Sequence, residues 1–111
     1  MEQEKINKLI NTVVDWFCAR IKEQYILEKI QEETLQKFRK LFFENIYLEL
    51  QKPENKGRLL IQWNNVNTQL ILQGICEVAC ISREKIPTGF YFLIETKPIQ
   101  VHNRNYIIHK A

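Results

Sequence analysis

Residues 1–52 contain neither proline nor glycine, the two residues that most disfavour a helix interior. Apolar side chains recur there at steps of three and four, which is the period of one helix face. The pattern predicts a nearly continuous helix over 4–30, a break near 31–34 and a second helix after it. The expected buried stripes are Ile6, Ile10, Val13, Phe17 and Ile21 in the first helix and Leu35, Phe38, Leu41 and Phe42 in the second.

The first helix carries more apolar residues than its main stripe needs. Val14, Trp16, Tyr25 and Ile26 lie beside the stripe and widen the apolar face. One face of a sheet does not easily cover so broad a surface, and an apolar surplus of this kind often marks an interface. We therefore expect these residues to contact a second copy of the chain, as a homodimer, or another protein partner.

The segment around 46–50 fits both a helix and a strand. Ile46, Leu48 and Leu50 recur at every second position as in a strand, yet Ile46 and Leu50 also continue the helical face from Phe42. The turn signal at 53–57, which contains proline and glycine, ends the segment in either case.

Beyond this turn the patterns favour strands. An apolar run over 58–63 leads into an asparagine-rich connection at 64–67, which suits a hairpin because asparagine tolerates positive φ. The long apolar run over 69–81 is then predicted as a buried strand. A short helix is the alternative, because Gln69, Gln73 and Glu77 recur at steps of four. Further strands are predicted at 90–96, 99–101 and 106–109.

Together these elements predict a single α+β domain over 1–111, with 1–45 helical and 46–111 mainly strands. Two N-terminal helices would pack on one face of an antiparallel meander of three to five strands. The chain has 111 residues and 45% hydrophobic residues, which is enough for one core without metal or disulfide staples.

The N-terminus is charged from its second residue, and no stretch approaches the roughly 20 apolar residues that cross a bilayer. The three cysteines are an odd number and widely spread, which is typical of free thiols in a reducing compartment. We therefore expect a cytoplasmic protein without a membrane partner and without a cofactor.

Basic residues concentrate in the second half of the chain. Residues 1–55 carry nine Lys and Arg against ten Asp and Glu, whereas 56–111 carry seven against three. Together with the central aromatic of the 90–92 run, they define a candidate binding surface: Tyr91, Lys97, Arg104 and Lys110. Nucleic acid is a possible partner, although dedicated nucleic-acid binders usually show a denser basic stripe.

Glu95 and Lys97 suggest one enzymatic alternative. Because the strand period is two, both side chains would project from the same face of a strand, as in nucleases that hold magnesium there. The spacing resembles the second half of the PD-(D/E)XK nuclease signature. That signature needs another carboxylate on a neighbouring strand, and only Glu77 or Glu84 could supply it. Neither follows the family's pattern, so a magnesium-dependent nuclease is the least favoured function.

Cysteine and histidine supply a second chemical alternative, a zinc site or a thiol nucleophile built from Cys76, Cys80, His102 and His109. On a helix Cys76 and Cys80 would share a face and could chelate a metal. On a strand the two thiols would lie about 13 Å apart and could not share one. Cysteine is also a commonly buried small hydrophobe. We therefore expect no metal site and no catalytic cysteine, Cys18 included.

Two runs, LLIQWNN and GICEVACISREKIPTGF, resemble in their order of residue types the C-terminal part of the small excision-controlling factors of cyanobacterial mobile elements. The resemblance lies within 59–90, includes no chemically diagnostic residue and implies a helix at 69–80. The long helical N-terminus departs from that family, so the chain is not assigned to it.

No catalytic constellation emerges from these patterns. The sequence therefore favours a small non-enzymatic protein–protein interaction or regulatory module that acts through its helical face or its sheet edge. A nucleic-acid-binding or mobile-element-associated protein that uses the basic C-terminal half is the alternative.

Overall fold

The computed structural model describes residues 2–96 and 99–103. These residues form an α+β fold, as predicted, in which a layer of helices covers one face of an antiparallel sheet. The sheet order is β1-β2-β3. The described elements are α1 (Glu2–Gln24), α2 (Glu32–Gln51), β1 (Arg58–Gln62), α3 (Val66–Ala79), β2 (Tyr91–Thr96) and β3 (Ile99–Asn103), with short 3₁₀ turns at Pro53–Asn55 and Arg83–Lys85.

Helix α1 ends at Gln24, so the prediction of a helix to residue 30 is wrong in its last turns. The chain has to reverse at 25–31 because α2 runs back along α1. Arg39 of α2 pairs with Asp15 of α1, and residues near the end of α2 lie beside Gln3 at the start of α1. A helix that continued through Ile26 would carry the chain away from the core.

The predicted stripe of α1 forms the centre of the core. Ile10, Val13, Phe17 and Ile21 have no exposed surface, and Ile6 is half-buried. The ring of Phe17 lies against four other aromatic rings, with centroid distances of 5.3 Å to Trp16, 5.0 Å to Phe42, 4.8 Å to Phe90 and 6.1 Å to Phe92. Edge-on and tilted contacts of this kind stabilise a packed interior beyond simple area burial.

The segment 46–50, which fitted both a helix and a strand, is helical, because α2 continues to Gln51. Ile46 and Leu50 are buried, whereas Leu48 is 63% exposed. Burial therefore follows the helical step of four. The two-residue step does not describe it.

The predicted strand at 69–81 is wrong, because this segment lies in helix α3 and the loop that follows it. The asparagine cluster that suggested a hairpin is a helix start. The Asn65 side chain accepts a hydrogen bond from the backbone N–H of Thr68 at 3.1 Å. Asparagine is favoured at helix N-caps for the same reason that it is favoured in turns, since its short side chain bonds nearby backbone. Residues 46–111 are therefore not mainly strands.

Helix α3 also breaks the expected meander, since it separates β1 from β2 in sequence although these strands are hydrogen-bonded neighbours. Among the described strands, β2 and β3 form a local hairpin, whereas the hairpin predicted at 64–67 is absent. Gly57, just before β1, has a φ of +73°, and a Cβ there would lie 2.3 Å from the Thr96 hydroxyl oxygen. A residue other than glycine would be strained at this entry to the sheet. The strand predicted at 106–109 lies outside the described residues.

The helices are arranged side by side over the sheet. Helix α1 contacts β2 and β3, whereas α2 contacts both β1 and α3. This order puts α3 on the side of α2 away from α1, next to the edge of the sheet that β1 forms.

Candidate functional site

The edge of β1 that faces away from β2 has backbone groups without a strand partner. Trp63 donates its N–H to the Phe90 carbonyl at 3.1 Å, and Thr96 donates to the Gly57 carbonyl at 2.9 Å. In an antiparallel pair, backbone hydrogen bonding alternates along each strand. The odd-numbered residues of β1 therefore bond to β2, and Arg58, Leu60 and Gln62 point their N–H and C=O groups outward. The Gln62 carbonyl is already occupied, because it accepts the Asn65 N–H at 3.0 Å.

A groove of about 260 Å³ runs along this free edge. Its walls are the last turns of α2 and the first turns of α3, and its base is β1 together with the buried side chains of Phe42 and Ile46. The remaining lining residues are Asn45, Glu49, Asn55, Asn65, Asn67, Thr68 and Ile71. The groove thus combines an apolar base, amide side chains on its walls and an unpaired strand along one side.

The charged groups at the groove are already balanced. Arg58 pairs with Glu95 at 3.1 Å across the sheet, and Glu49 pairs with Lys52 at 3.0 Å. The Asn55 side chain donates to the Glu49 carbonyl at 2.6 Å and so closes one end of the α2 wall. The Asn45 side chain has no protein partner within the described residues. The chemistry that this groove offers is therefore backbone and amide hydrogen bonding over an apolar base.

The candidate interface on α1 does not form one surface. Val14 is completely buried, so placing it at an interface is wrong: it lies on the core side of the helix. Trp16 is half-buried and packs edge-on against Phe92 at 5.4 Å. Tyr25 lies under the Lys85 ammonium, 5.2 Å from the ring centroid, and Ile26 is 84% exposed in the loop after α1.

The candidate binding surface falls only partly within the described residues. Tyr91 is half-buried on the outer face of β2, opposite Gln62 of β1. Lys97, Arg104 and Lys110 lie outside the described residues. Of the other basic residues in this half, Lys85 is held at the Gln24 carbonyl, 3.1 Å away, on the helical side of the molecule.

The nuclease pair is not assembled in the described part of the chain. Glu95 is half-buried and lies opposite Arg58, its ion-pair partner, and Lys97 is outside the described residues. The two candidate second carboxylates are on helical elements, Glu77 in α3 and Glu84 in a 3₁₀ turn. They are not on strands beside Glu95, as the nuclease arrangement requires.

Cys76 lies in α3 and Cys80 is the residue that caps the end of this helix, so the assumption of a strand at Cys76 and Cys80 is wrong. Cys76 is buried, and this burial raises the pKa of its thiol to about 11. Burial also raises the pKa of Cys18. Cys80 is exposed at the end of α3. Within 2–96 and 99–103, no three His, Cys, Asp or Glu side chains lie close enough to hold a metal ion; His109 and the side chain of His102 are outside that description.

Sequence reasoning missed the groove because it depends on α3. With 69–81 taken as a strand, the groove would have lost the wall that the first turns of α3 supply. The signal for the helix was present in Asn65 and in the four-residue spacing that follows it.

None of the helices in the described ranges has the length and apolarity needed to cross a bilayer. No protein family, no curated protein and no solved structure matches this chain.

Proposed function

We propose that this chain is a non-enzymatic protein–protein interaction module that binds an extended segment of a partner protein at the free edge of β1. The observation that carries the proposal is the groove in which unpaired backbone groups of β1 face the walls formed by α2 and α3. Addition of a strand to an exposed sheet edge is a recurrent mode of peptide recognition. Main-chain hydrogen bonds supply affinity, and side-chain pockets supply specificity.

The dimensions of the groove support a short peptide. β1 has five residues, which corresponds to about 16 Å of extended chain. A peptide of similar length would bond to the outward backbone groups of Arg58 and Leu60 and to the Gln62 N–H, since the Gln62 carbonyl already accepts the Asn65 N–H. The apolar base formed by Phe42 and Ile46 favours an aliphatic side chain at the centre of the bound segment.

A second copy of the chain suits this edge less well than a peptide does. Helix α3 sits beside β1, so two copies paired through β1 would bring their α3 helices into the same space. The charge balance at Arg58 and Glu49 also favours an uncharged segment over a strongly acidic or basic one. The three free cysteines are consistent with peptide binding in a reducing, cytoplasmic compartment.

The proposal is tested with peptides selected from a random display library against the wild-type protein. Leu60→Pro removes one outward N–H and adds a ring at the edge, but it leaves the β1–β2 ladder intact because the Leu60 N–H points away from β2. Leu60→Ala keeps the N–H and serves as the matched control. We expect Leu60→Pro to weaken binding of the selected peptides by roughly tenfold or more, the equivalent of one to two lost hydrogen bonds.

Fluorescence anisotropy gives the dissociation constants, and thermal denaturation shows that both variants are folded. The loss should be clearly larger for Leu60→Pro than for Leu60→Ala. Selected peptides that bind both variants as tightly as wild type would contradict strand addition at β1. A library that yields no binder would contradict the peptide-binding function itself.

Nucleic-acid binding through the basic C-terminal half is the alternative function. Three of its four candidate residues lie outside the described part of the chain. Binding to phosphates weakens steeply as salt is added. Measuring the binding of labelled DNA and RNA at low and moderate salt therefore separates the two functions.

A further inference from the structure

Helix α3 has an outer face unlike that of the other helices. Three of its apolar side chains are largely exposed, Val66 at 66%, Leu70 at 60% and Val78 at 58%. They recur at steps of four with Gly74 between the last two, and a Cβ at Gly74 would meet nothing within 4 Å. Glu77 is the only charged residue among the fourteen of α3.

These residues form one ridge along the helix, because positions four apart line up on the helix surface. The ridge is defined here by Val66, Leu70, Gly74 and Val78. It contains large side chains and one gap. The gap is at Gly74, where the backbone of another helix can approach closely. Elsewhere on the helix, side chains prevent such an approach.

We propose that the α3 ridge binds the α3 ridge of a second copy in antiparallel orientation. A two-fold axis that passes between Leu70 and Gly74 puts Leu70 of each copy over Gly74 of the other. The same operation puts Val66 opposite Val78. Large side chains therefore meet the gap, and the ridge is complementary to itself as a symmetric dimer requires.

The polar residues flanking the ridge also fit this arrangement. The axis that pairs Leu70 with Gly74 brings the exposed Asn67 of one copy opposite Glu77 of the other. An asparagine amide can donate to a carboxylate, whereas in a parallel arrangement the two Glu77 carboxylates would face each other and repel. The outer face of α1 carries the Arg20–Glu23 ion pair, and among the described residues of α1 and α2 Leu48 is the one large apolar side chain that is mostly exposed.

The expected dimer is weak. Fourteen residues of helix span about 21 Å, and one helix face buries less than the roughly 800 Å² per partner of a standard stable interface. Association should therefore depend on concentration. This interface does not use the free edge of β1, although Asn67, which flanks the ridge, also lines the proposed peptide groove.

Sedimentation equilibrium over a wide range of protein concentration tests the proposal. Gly74→Leu fills the gap at a position where an added Cβ has open space around it, and Leu70→Glu places a charge at the centre of the ridge. Each substitution should weaken association by about tenfold or more. Leu48→Glu is the matched control, since Leu48 is 63% exposed on α2 and lies outside the ridge.

Circular dichroism establishes that each variant is folded, and either ridge variant alone decides the question if the other unfolds. A wild-type protein that stays monomeric at the highest concentration would overturn the proposal. Association of both ridge variants at wild-type strength would overturn it as well.

Cross-linking tests the orientation in a Cys80→Ser background, because Cys18 and Cys76 are buried. Val66→Cys and Val78→Cys proteins are prepared separately and then mixed with a short thiol-reactive cross-linker. The antiparallel dimer should give cross-linked product in the mixture and little in either protein alone. Efficient cross-linking of each protein alone, with none added by mixing, would show a parallel contact and overturn the pairing.

Discussion

The α1–α2 pair and the β1–α3 unit use their apolar residues in opposite ways. In α1 and α2 the main apolar stripes are turned inward, and the outer faces carry ion pairs, including the Arg39–Asp15 pair that joins the two helices. In the β1–α3 unit, apolar side chains remain at the surface, and one strand edge has no partner strand. The first region supplies much of the core, whereas the outer surface of the second is the one for which we propose association. Substitutions should therefore affect stability in one region and binding in the other.

The largest difference is expected between a core aromatic residue of α1 and an exposed leucine of α3. Phe17→Ala removes a ring that packs against Phe42, Phe90 and Phe92, so it should lower the free energy of unfolding by about 3–5 kcal/mol. Leu70→Ala removes a side chain that is 60% exposed, so it should change the free energy of unfolding by no more than about 0.5 kcal/mol. Urea denaturation of dilute samples measures both. Equal losses would show that the two regions do not differ in this way.

Alkaline pH should reveal that the inner face of α3 belongs to the core. Burial raises the pKa of Cys76 from 9.0 to about 11, so the folded state favours the neutral thiol. Stability from this group is complete below pH 9 and is lost as the pH rises toward 11, because the unfolded chain then releases a proton that the folded chain retains. Cys76→Ala should show a shallower decline over this interval than wild type.

Urea denaturation at a series of alkaline pH values provides the comparison. Cys80→Ala is the control, because Cys80 is exposed and its loss should leave the decline unchanged. A decline that is the same in all three proteins would show that Cys76 does not contribute to it.

The smallest effect is expected at the end of α3. Cys80 has a φ of +61°, in the left-handed region, and its N–H bonds to the Cys76 carbonyl. Glycine adopts this conformation without strain and is the usual residue at a helix end of this type. Cys80→Gly should therefore raise the free energy of unfolding by about 0.5–1 kcal/mol, measured by thermal or urea denaturation. A loss of stability would mean that the Cys80 side chain makes a contact that matters more than its backbone strain.

The same contrast explains which parts of the fold were predictable from sequence. The stripe that includes Ile10, Val13 and Phe17 is regular over several turns. A helical pattern that repeats over so long a segment is a strong signal. The end of α1 at Gln24 was not predictable, because the reversal at 25–31 depends on where α2 packs and no proline or glycine marks it.

At the site, the sequence indicated a sheet edge as one working surface but did not identify which one. Asn65 has the same local preference for a hairpin turn and for a helix N-cap, and the wrong choice converted α3 into a strand. The apolar run of α3 added to the error. A helix that keeps exposed valine and leucine lacks the polar face by which amphipathic helices are recognised.

The position of α3 between β1 and β2 also has a consequence for the order of folding. β2 and β3 are joined by a short connection, since Thr96 and Ile99 are direct partners, and they can pair early at little entropic cost. Gln62 and Tyr91 are direct partners too. Their pairing closes a much longer loop, because α3 and the loop after it lie between them in sequence. Non-local contacts of this kind slow folding, so β1 should join the sheet last and leave it first. We therefore expect β1, the strand proposed to bind peptide, to be the one whose native-state opening requires the least free energy.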